Sequence, residues 1–174
     1  MDAGTVRKEI DMFDKFGEFD SFGEINELAE NLFNEGDLEG IKIMATENGL
    51  SEEYADMYLQ GDVPFLCDAL TAAIGKIDVE FEELKLSGIM EDWTEYLRAQ
   101  CMEDETVAVA VRRKDKKLNG MIGELLKWSF ENAKDIPKEI LETAGVKGAK
   151  VKLGIPGMGT AKEIIRKYYL GEKR

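Results

Sequence analysis

Helix start and stop signals recur along almost all of this 174-residue chain, and they constrain its fold more than any other feature. Ser or Asp precedes segments whose apolar residues recur at helical spacing, and Gly follows most of these segments. Ser21 and Glu24, for example, form a capping box ahead of an apolar stripe that ends at Gly36. We therefore predict an all-α fold, a compact bundle of roughly eight to nine short helices with a glycine-rich basic loop before the last helix.

The predicted helices follow one another closely. Asp62 and Pro64 are expected to open a long helix that reaches Leu84, because proline is tolerated in the first helical turn. The V-A-V-A-V segment at 107–111 could also form a strand, but no convincing second strand is present to pair with it, and a helix is favoured. The predicted segments are 21–36, 37–48, 51–60, 62–84, 87–101, 104–114, 118–130, 135–144 and 160–170.

Charge divides the chain into two unequal parts. Residues 1–111 hold 7 Lys and Arg against 28 Asp and Glu, a net charge of −21, whereas residues 112–174 hold 16 against 8, a net charge of +8. We distinguish an acidic helical region, 1–111, from a basic helical region, 112–174, within what we expect to be one continuous globular domain. The asymmetry suggests an acidic surface for basic partners and a basic surface for anions or nucleic acid. Two solvated faces that chiefly keep the protein soluble are the alternative interpretation.

Residue usage excludes several kinds of chemistry. The chain has no histidine, so catalytic triads and most zinc sites are excluded, and we predict no cofactor and no metal. Cys67 and Cys101 lack a C-x-x-C partner and are expected to be buried thiols. No apolar run suits a membrane span or a signal peptide, so we predict no membrane contact and a cytoplasmic protein. We expect an aromatic stripe to be ordinary core: Trp93, Tyr96 and Trp128.

The glycine-rich segment 154–159 resembles the P-G-h-G turn of helix-hairpin-helix modules, whose backbone N–H groups at a helix start bind a DNA phosphate. Ala161 follows the second glycine too closely for a full match, and a structural turn with solvated lysines is the alternative. The surrounding cations would neutralise phosphates. The candidate DNA-binding residues are Lys147, Lys150, Lys152, Gly157, Gly159, Lys162, Arg166 and Lys167.

Longer stretches carry a further resemblance. The segments FGEFDSFGEINELAENLFNEGD, LTAAIGKI, VKLGIPGM and AKEIIRKYY make the chain similar to small proteins carried by mobile genetic elements of gut Firmicutes, among them the anti-CRISPR family that inhibits type II RNA-guided nucleases. The resemblance implies a stoichiometric inhibitor that binds the CRISPR-Cas effector nuclease and that is not an enzyme, with double-stranded DNA as a candidate second partner. Acidic residues would contact the nuclease. The candidates are Glu18, Asp20, Glu24, Glu27, Glu52, Glu53, Glu80, Glu82, Glu83, Glu91 and Asp92.

Two other functions stay open at this stage. A DNA-binding accessory protein of a phage or conjugative element would need only the basic region. An enzyme with a carboxylate metal site, built around Glu91 and Asp92, is the less favoured possibility.

Overall fold

The computed structural model describes residues 15–148 and 150–171. Within these residues the chain forms nine α-helices and one two-stranded antiparallel ribbon, which confirms the predicted all-α class. No helix in this described part is long and apolar enough to cross a membrane. In chain order the elements are α1 (Phe22–Glu35), α2 (Leu38–Glu47), α3 (Glu52–Gln60), α4 (Ala69–Leu84), α5 (Ile89–Glu103), α6 (Glu105–Arg112), α7 (Leu118–Glu131), β1 (Lys134–Asp135), α8 (Lys138–Thr143), β2 (Lys152–Leu153) and α9 (Met158–Leu170).

The predicted caps begin the first three helices. The side chains of Ser21, Asp37 and Ser51 each accept a hydrogen bond from the backbone N–H three residues later. Gly36 ends α1 in the left-handed conformation, with φ of 78°, and α3 ends at a glycine in the same way. These local signals place α1 to α3 close to their predicted bounds because caps act within one helical turn.

The predicted helix over 62–84 is wrong in its first turns. Helix α4 begins at Ala69, and the side chain of Asp68 caps it by accepting a hydrogen bond from the Thr71 N–H. The preceding residues are held non-helical by Asn26 of α1. Its amide donates to the Cys67 carbonyl at 2.8 Å and its carbonyl oxygen accepts the Cys67 N–H at 3.1 Å. This pair of bonds occupies backbone groups that a helix would need.

Other helix boundaries also differ. Gly88, with φ of 62°, stands before α5 in place of the predicted Ser87. The V-A-V-A-V segment is helical in α6, as favoured, and it packs most closely on α4. The two strands lie elsewhere: β1 occupies the predicted start of the helix over 135–144, and β2 lies in the predicted loop. Lys134 pairs with Leu153, and Asp135 pairs with Lys152.

Two hydrophobic clusters form the core. The first joins α1, α2 and α3 around Ile25, Ile41 and Met44, and the second joins α4 to α7 and α9 around Trp93 and Leu125. The second cluster contains residues from both sides of the change in charge at residue 111. Of the predicted aromatic core stripe only Trp93 is buried, whereas Tyr96 and Trp128 are half-buried.

The helices α2 and α4 approach each other at two glycines. A Cβ atom on Gly75 would lie 2.4 Å from the carbonyl oxygen of Asn48, and one on Gly49 would lie 2.2 Å from the carbonyl oxygen of Gly75. Gly49 also has a φ of 74°, which few other residues adopt. These glycines let the end of α2 rest directly on the backbone of α4.

Candidate interaction surfaces

The part of the acidic region that lies between Lys15 and Lys76 contains almost no basic residues. Between Lys15 and Lys76 the sequence has 14 Asp and Glu against a single basic residue, Lys42. Lys42 forms an ion pair of 2.9 Å with Asp56, so it neutralises one carboxylate locally. We call the exposed carboxylates of α1 to α3 and their connections the acidic face. Its members are Asp20, Glu24, Glu27, Glu30, Glu35, Glu39, Glu52, Glu53 and Asp62.

Three glutamate carboxylates lie about one turn apart along α1. Glu24, Glu27 and Glu30 are spaced three residues apart, so neighbouring carboxylates share one side of the helix, and all three are exposed. Each such like-charge pair destabilises an isolated helix by about 0.2–0.5 kcal/mol. Helix α1 contains no Lys or Arg to offset this repulsion. The acidic face is therefore maintained at a small cost to the stability of α1.

The structure corrects two of the predicted partner-binding residues, Glu18 and Glu80. Glu80 is 8% exposed, and its carboxylate accepts the Leu118 N–H at 3.0 Å. The Oε1 atoms of Glu18 and Glu80 lie 3.5 Å and 4.0 Å from the ammonium of the fully buried Lys76. Burial raises the pKa of the Glu80 carboxyl, and the charge of Lys76 opposes that rise. Both carboxylates belong to an internal charge cluster, so they are not available on the surface.

The remaining acidic candidates are exposed but divided among several elements. Glu82 and Glu83 lie in the last turn of α4, and Glu91 and Asp92 lie in the first turn of α5, where the helix dipole favours negative charge. The Asp20 carboxylate accepts the Lys114 N–H at 2.8 Å. Glu27, Glu52 and Glu53 stand on α1 and α3, within the acidic face.

Arg112, the first cation of the basic run at 112–117, is directed into the protein, which charge counting did not predict. Arg112 is 1% exposed, and its guanidinium donates to the carbonyl oxygens of Phe19 and Ala72, each at 3.2 Å, and to the side-chain oxygen of Asn48. Lys76 donates to the carbonyl oxygen of Val111, near the end of α6, and to those of Arg113 and Lys116 in the segment that follows. Three backbone acceptors saturate its ammonium.

Three other cations of this run contact side chains of the same molecule. The Lys117 ammonium pairs with the Glu18 carboxylate at 2.5 Å, and the Lys116 ammonium lies 5.0 Å from the centre of the Tyr168 ring. Arg113 pairs with Asp115 at 2.9 Å on the surface. Four of the five cations in this run thus interact with acidic, carbonyl, amide or aromatic groups of the same molecule. The one sequence signal for this arrangement was Lys76, an isolated cation within the apolar segment LTAAIGKI.

The glycine-rich turn begins a helix as predicted. Gly157 is the N-cap of α9, and Gly157 and Gly159 are exposed with open space around them. Residues 144–157 separate α8 from α9, and they include β2, which pairs with β1. Gly154 crosses the end of α7 so closely that a Cβ there would lie 2.1 Å from the Ser129 carbonyl oxygen. The chain therefore reaches α9 through β2 and a close crossing of α7 at Gly154.

The predicted DNA-binding cations fall into two groups. Lys147, Lys150 and Lys152 are exposed around β2. Lys162 lies 5.1 Å from the centre of the Tyr96 ring, and Arg166 is hydrogen-bonded to Gln100 and Asp104. Lys167 is exposed on α9. The three lysines around β2 therefore share one exposed segment, whereas Lys162 and Arg166 contact residues of α5 and its C-cap.

An open cavity of about 680 Å³ lies between the ribbon and α8. Apolar side chains and charges of both signs line it, including Lys147 and Lys150 from the candidate DNA-binding set. Within residues 15–148 and 150–171, no three His, Cys, Asp or Glu side chains come together in a group that could hold a metal ion. Glu91 and Asp92 are part of no such group.

Cys67 and Cys101 are free and buried, as predicted. Burial raises the pKa of each thiol to about 12. A thiol with such a pKa is a poor nucleophile near neutral pH because the thiolate is the reactive form. In a comparison with family models, curated proteins and solved structures, nothing matched this chain.

Proposed function

We propose that this protein is a non-catalytic binder of a basic protein and that its partner is the effector nuclease of a type II CRISPR-Cas system, which it inhibits stoichiometrically. The observation that carries the proposal is the acidic face, in which exposed carboxylates of α1 and α3 have no basic residue on either helix. The sequence resemblance to anti-CRISPR proteins supplies the identity of the partner.

The chemistry of such a nuclease is complementary to this face. A type II effector holds its heteroduplex in a positively charged channel and reads a short motif in the adjacent DNA with arginines. A rigid surface with regularly spaced carboxylates can compete with phosphates for those cations. Because Glu80 is buried and the Glu18 carboxylate is paired with Lys76 and Lys117, the contact would depend on the acidic face and, secondarily, on Glu91 and Asp92 of α5.

Inhibition of cleavage tests this proposal. The purified chain is titrated into a guide-loaded type II nuclease, target cleavage is measured, and complex formation is followed by size-exclusion chromatography. We expect cleavage to fall until about one chain is present per nuclease and both proteins to comigrate. The Glu27→Lys/Glu53→Lys variant should inhibit at least about tenfold less, because it reverses two exposed charges of the acidic face, one on α1 and one on α3.

A matched variant controls for net charge. Glu131→Lys/Glu139→Lys makes the same change in charge on exposed positions of α7 and α8, outside the acidic face. It should inhibit as well as the unmodified chain. The proposal fails if the chain neither comigrates with the nuclease nor reduces cleavage at molar excess.

A second candidate function is DNA binding by the basic region. It is favoured by Lys147, Lys150 and Lys152, which are exposed together around β2. Affinity for duplex DNA should then fall with salt, with a log–log slope of about 0.9 for each phosphate contact. The Lys150→Ala/Lys152→Ala variant should have a shallower slope, and the reduction should correspond to the loss of about two phosphate contacts. Lys85→Asn, an exposed change in the acidic region, is the control. DNA binding without nuclease inhibition would favour this function over the first.

A further inference from the structure

Three aromatic side chains lie at the surface formed by α1 and α3. Phe33 is 45% exposed and Tyr54 is 43% exposed. The Phe33 ring meets the half-buried Tyr58 ring edge-on, with 6.0 Å between ring centres. Tyr54 and Tyr58 are four residues apart on α3 and therefore share one side of that helix. We call Phe33, Tyr54 and Tyr58 the aromatic patch.

Carboxylates of the acidic face border the aromatic patch. Glu30 is exposed one turn before Phe33, and its charge acts together with burial to raise the pKa of Tyr58. Glu53 is exposed beside Tyr54 in the chain. Neither α1 nor α3 contains Lys or Arg. The patch thus combines exposed π faces with negative charge.

Cations cover aromatic rings elsewhere in this protein. In each case an ammonium or guanidinium lies 5.0–5.2 Å from a ring centre, within the range of a cation–π interaction. The four pairs are Lys15 with Phe16, Arg98 with Phe81, Lys116 with Tyr168, and Lys162 with Tyr96. Among the residues that the structure describes, none of these four cation–π contacts involves the aromatic patch. Its rings are open to a cation from outside.

We propose that the aromatic patch binds arginine side chains of a basic protein, with the guanidinium on the rings of Tyr54 and Tyr58 and its N–H groups on Glu30. The inference rests on the proposed function only in taking the acidic face as a protein-binding surface. Arginine suits the patch better than lysine because its planar group stacks on rings, is more weakly hydrated, and presents several donors to carboxylates. Nucleic acid is disfavoured as the occupant because its phosphates would be repelled by the surrounding carboxylates.

Tyrosine and arginine are also the residue types that dominate binding energy at protein interfaces. A ring that is partly exposed and held by neighbouring side chains loses little conformational freedom when it is covered. The edge-on contact with Phe33 holds Tyr58 in this way. The aromatic patch would therefore form the energetic centre of the acidic face, and the outlying carboxylates would mainly steer the approach of the partner.

Binding of short cationic peptides to the full chain tests the inference. Octa-arginine and octa-lysine peptides are titrated by calorimetry at about 150 mM salt, where long-range attraction is largely screened. We expect the arginine peptide to bind at least roughly threefold more tightly than the lysine peptide. Tyr54→Leu should remove most of this preference. Tyr54→Phe, which keeps the ring, should retain it.

Two controls keep the outcome interpretable. Urea unfolding of each variant checks that the fold persists, and Leu126→Ala, at an exposed apolar position of α7, should leave the preference unchanged. Equal affinity for both peptides, or a preference that survives Tyr54→Leu, would overturn the inference. If the arginine preference holds while the nuclease is not inhibited, the proposed nuclease function fails and the inference stands. If inhibition is strong but insensitive to Tyr54→Leu, the proposed nuclease function stands and the inference about the aromatic patch fails.

Discussion

Arg112 donates a hydrogen bond of 3.2 Å from its Nε atom to the carbonyl oxygen of Phe19, 93 residues earlier in the chain. The same guanidinium reaches the Ala72 carbonyl of α4 and the Asn48 side chain at the end of α2. One cation therefore ties the segment before α1 to both hydrophobic clusters. Lys76 holds the end of α6 and the loop after it in a similar way, through three carbonyl oxygens.

Removal of the Arg112 side-chain charge should strongly destabilise the fold. In Arg112→Met the carbonyl oxygens of Phe19 and Ala72 lose their donor, and unsatisfied buried polar groups are costly, so we expect a loss of about 3 kcal/mol in the free energy of unfolding. Urea unfolding followed by circular dichroism measures it. Arg113→Met removes the neighbouring, exposed cation and should change stability by no more than about 0.5 kcal/mol. Equal losses in both variants would contradict the role of burial.

The close approach of α2 and α4 gives a second prediction. Gly75→Ala should lower the free energy of unfolding by about 2 kcal/mol, because its Cβ would overlap the Asn48 carbonyl oxygen and push the helices apart. Gly123→Ala makes the same change within α7, where a Cβ meets no atom within 4 Å. It should stabilise the protein by about 0.5–1 kcal/mol, because alanine is the better helix former. Thermal unfolding of the two variants provides the comparison, and a stabilised Gly75→Ala would refute it.

The two thiols should be unreactive in the folded protein. With the pKa of Cys67 and Cys101 raised to about 12, on the order of one thiol in ten thousand is ionised at pH 8, and both are also buried. Labelling with a disulfide reagent should therefore be slow in buffer and rapid in concentrated guanidinium chloride. Native labelling should accelerate as pH rises, since a raised pKa leaves the thiol protonated at lower pH. Rapid labelling of one thiol in buffer at pH 8 would show that its site is open.

The lowered pKa of Asp104 predicts that the stability of the folded protein depends on pH in the acidic range. Hydrogen bonds from the Thr106 hydroxyl and from Arg166 lower the pKa of Asp104 below its ordinary value of 3.8. The contribution of this carboxylate is therefore complete above about pH 4 and is lost as pH falls through the lowered pKa. Asp104→Asn should be less stable than the unmodified chain at pH 7, and the difference should shrink below pH 3. In an Arg166→Met background the effect of Asp104→Asn should be smaller. A difference that is independent of pH would contradict this account.

Local features of the chain were predictable because they depend on near neighbours. Caps such as Ser21 and Asp37 act within one turn, so the bounds of α1 and α2 followed from the sequence. The absence of Lys and Arg from α1 and α3 is likewise a property of the sequence, and it made the acidic face foreseeable. The error at 62–68 arose because Asn26, about forty residues away, binds the backbone of Cys67.

The amino-acid sequence by itself determined that this protein is helical, where most helices begin, and that its first half carries excess negative charge, since periodicity, capping and composition are local properties. Only the tertiary structure decided which charges face the solvent. Glu80 and Arg112 were predicted as parts of charged regions but are buried, because burial depends on the segments that fold around a residue. The same packing left Tyr54 and the carboxylates of the acidic face on the outside, where they are available to a partner.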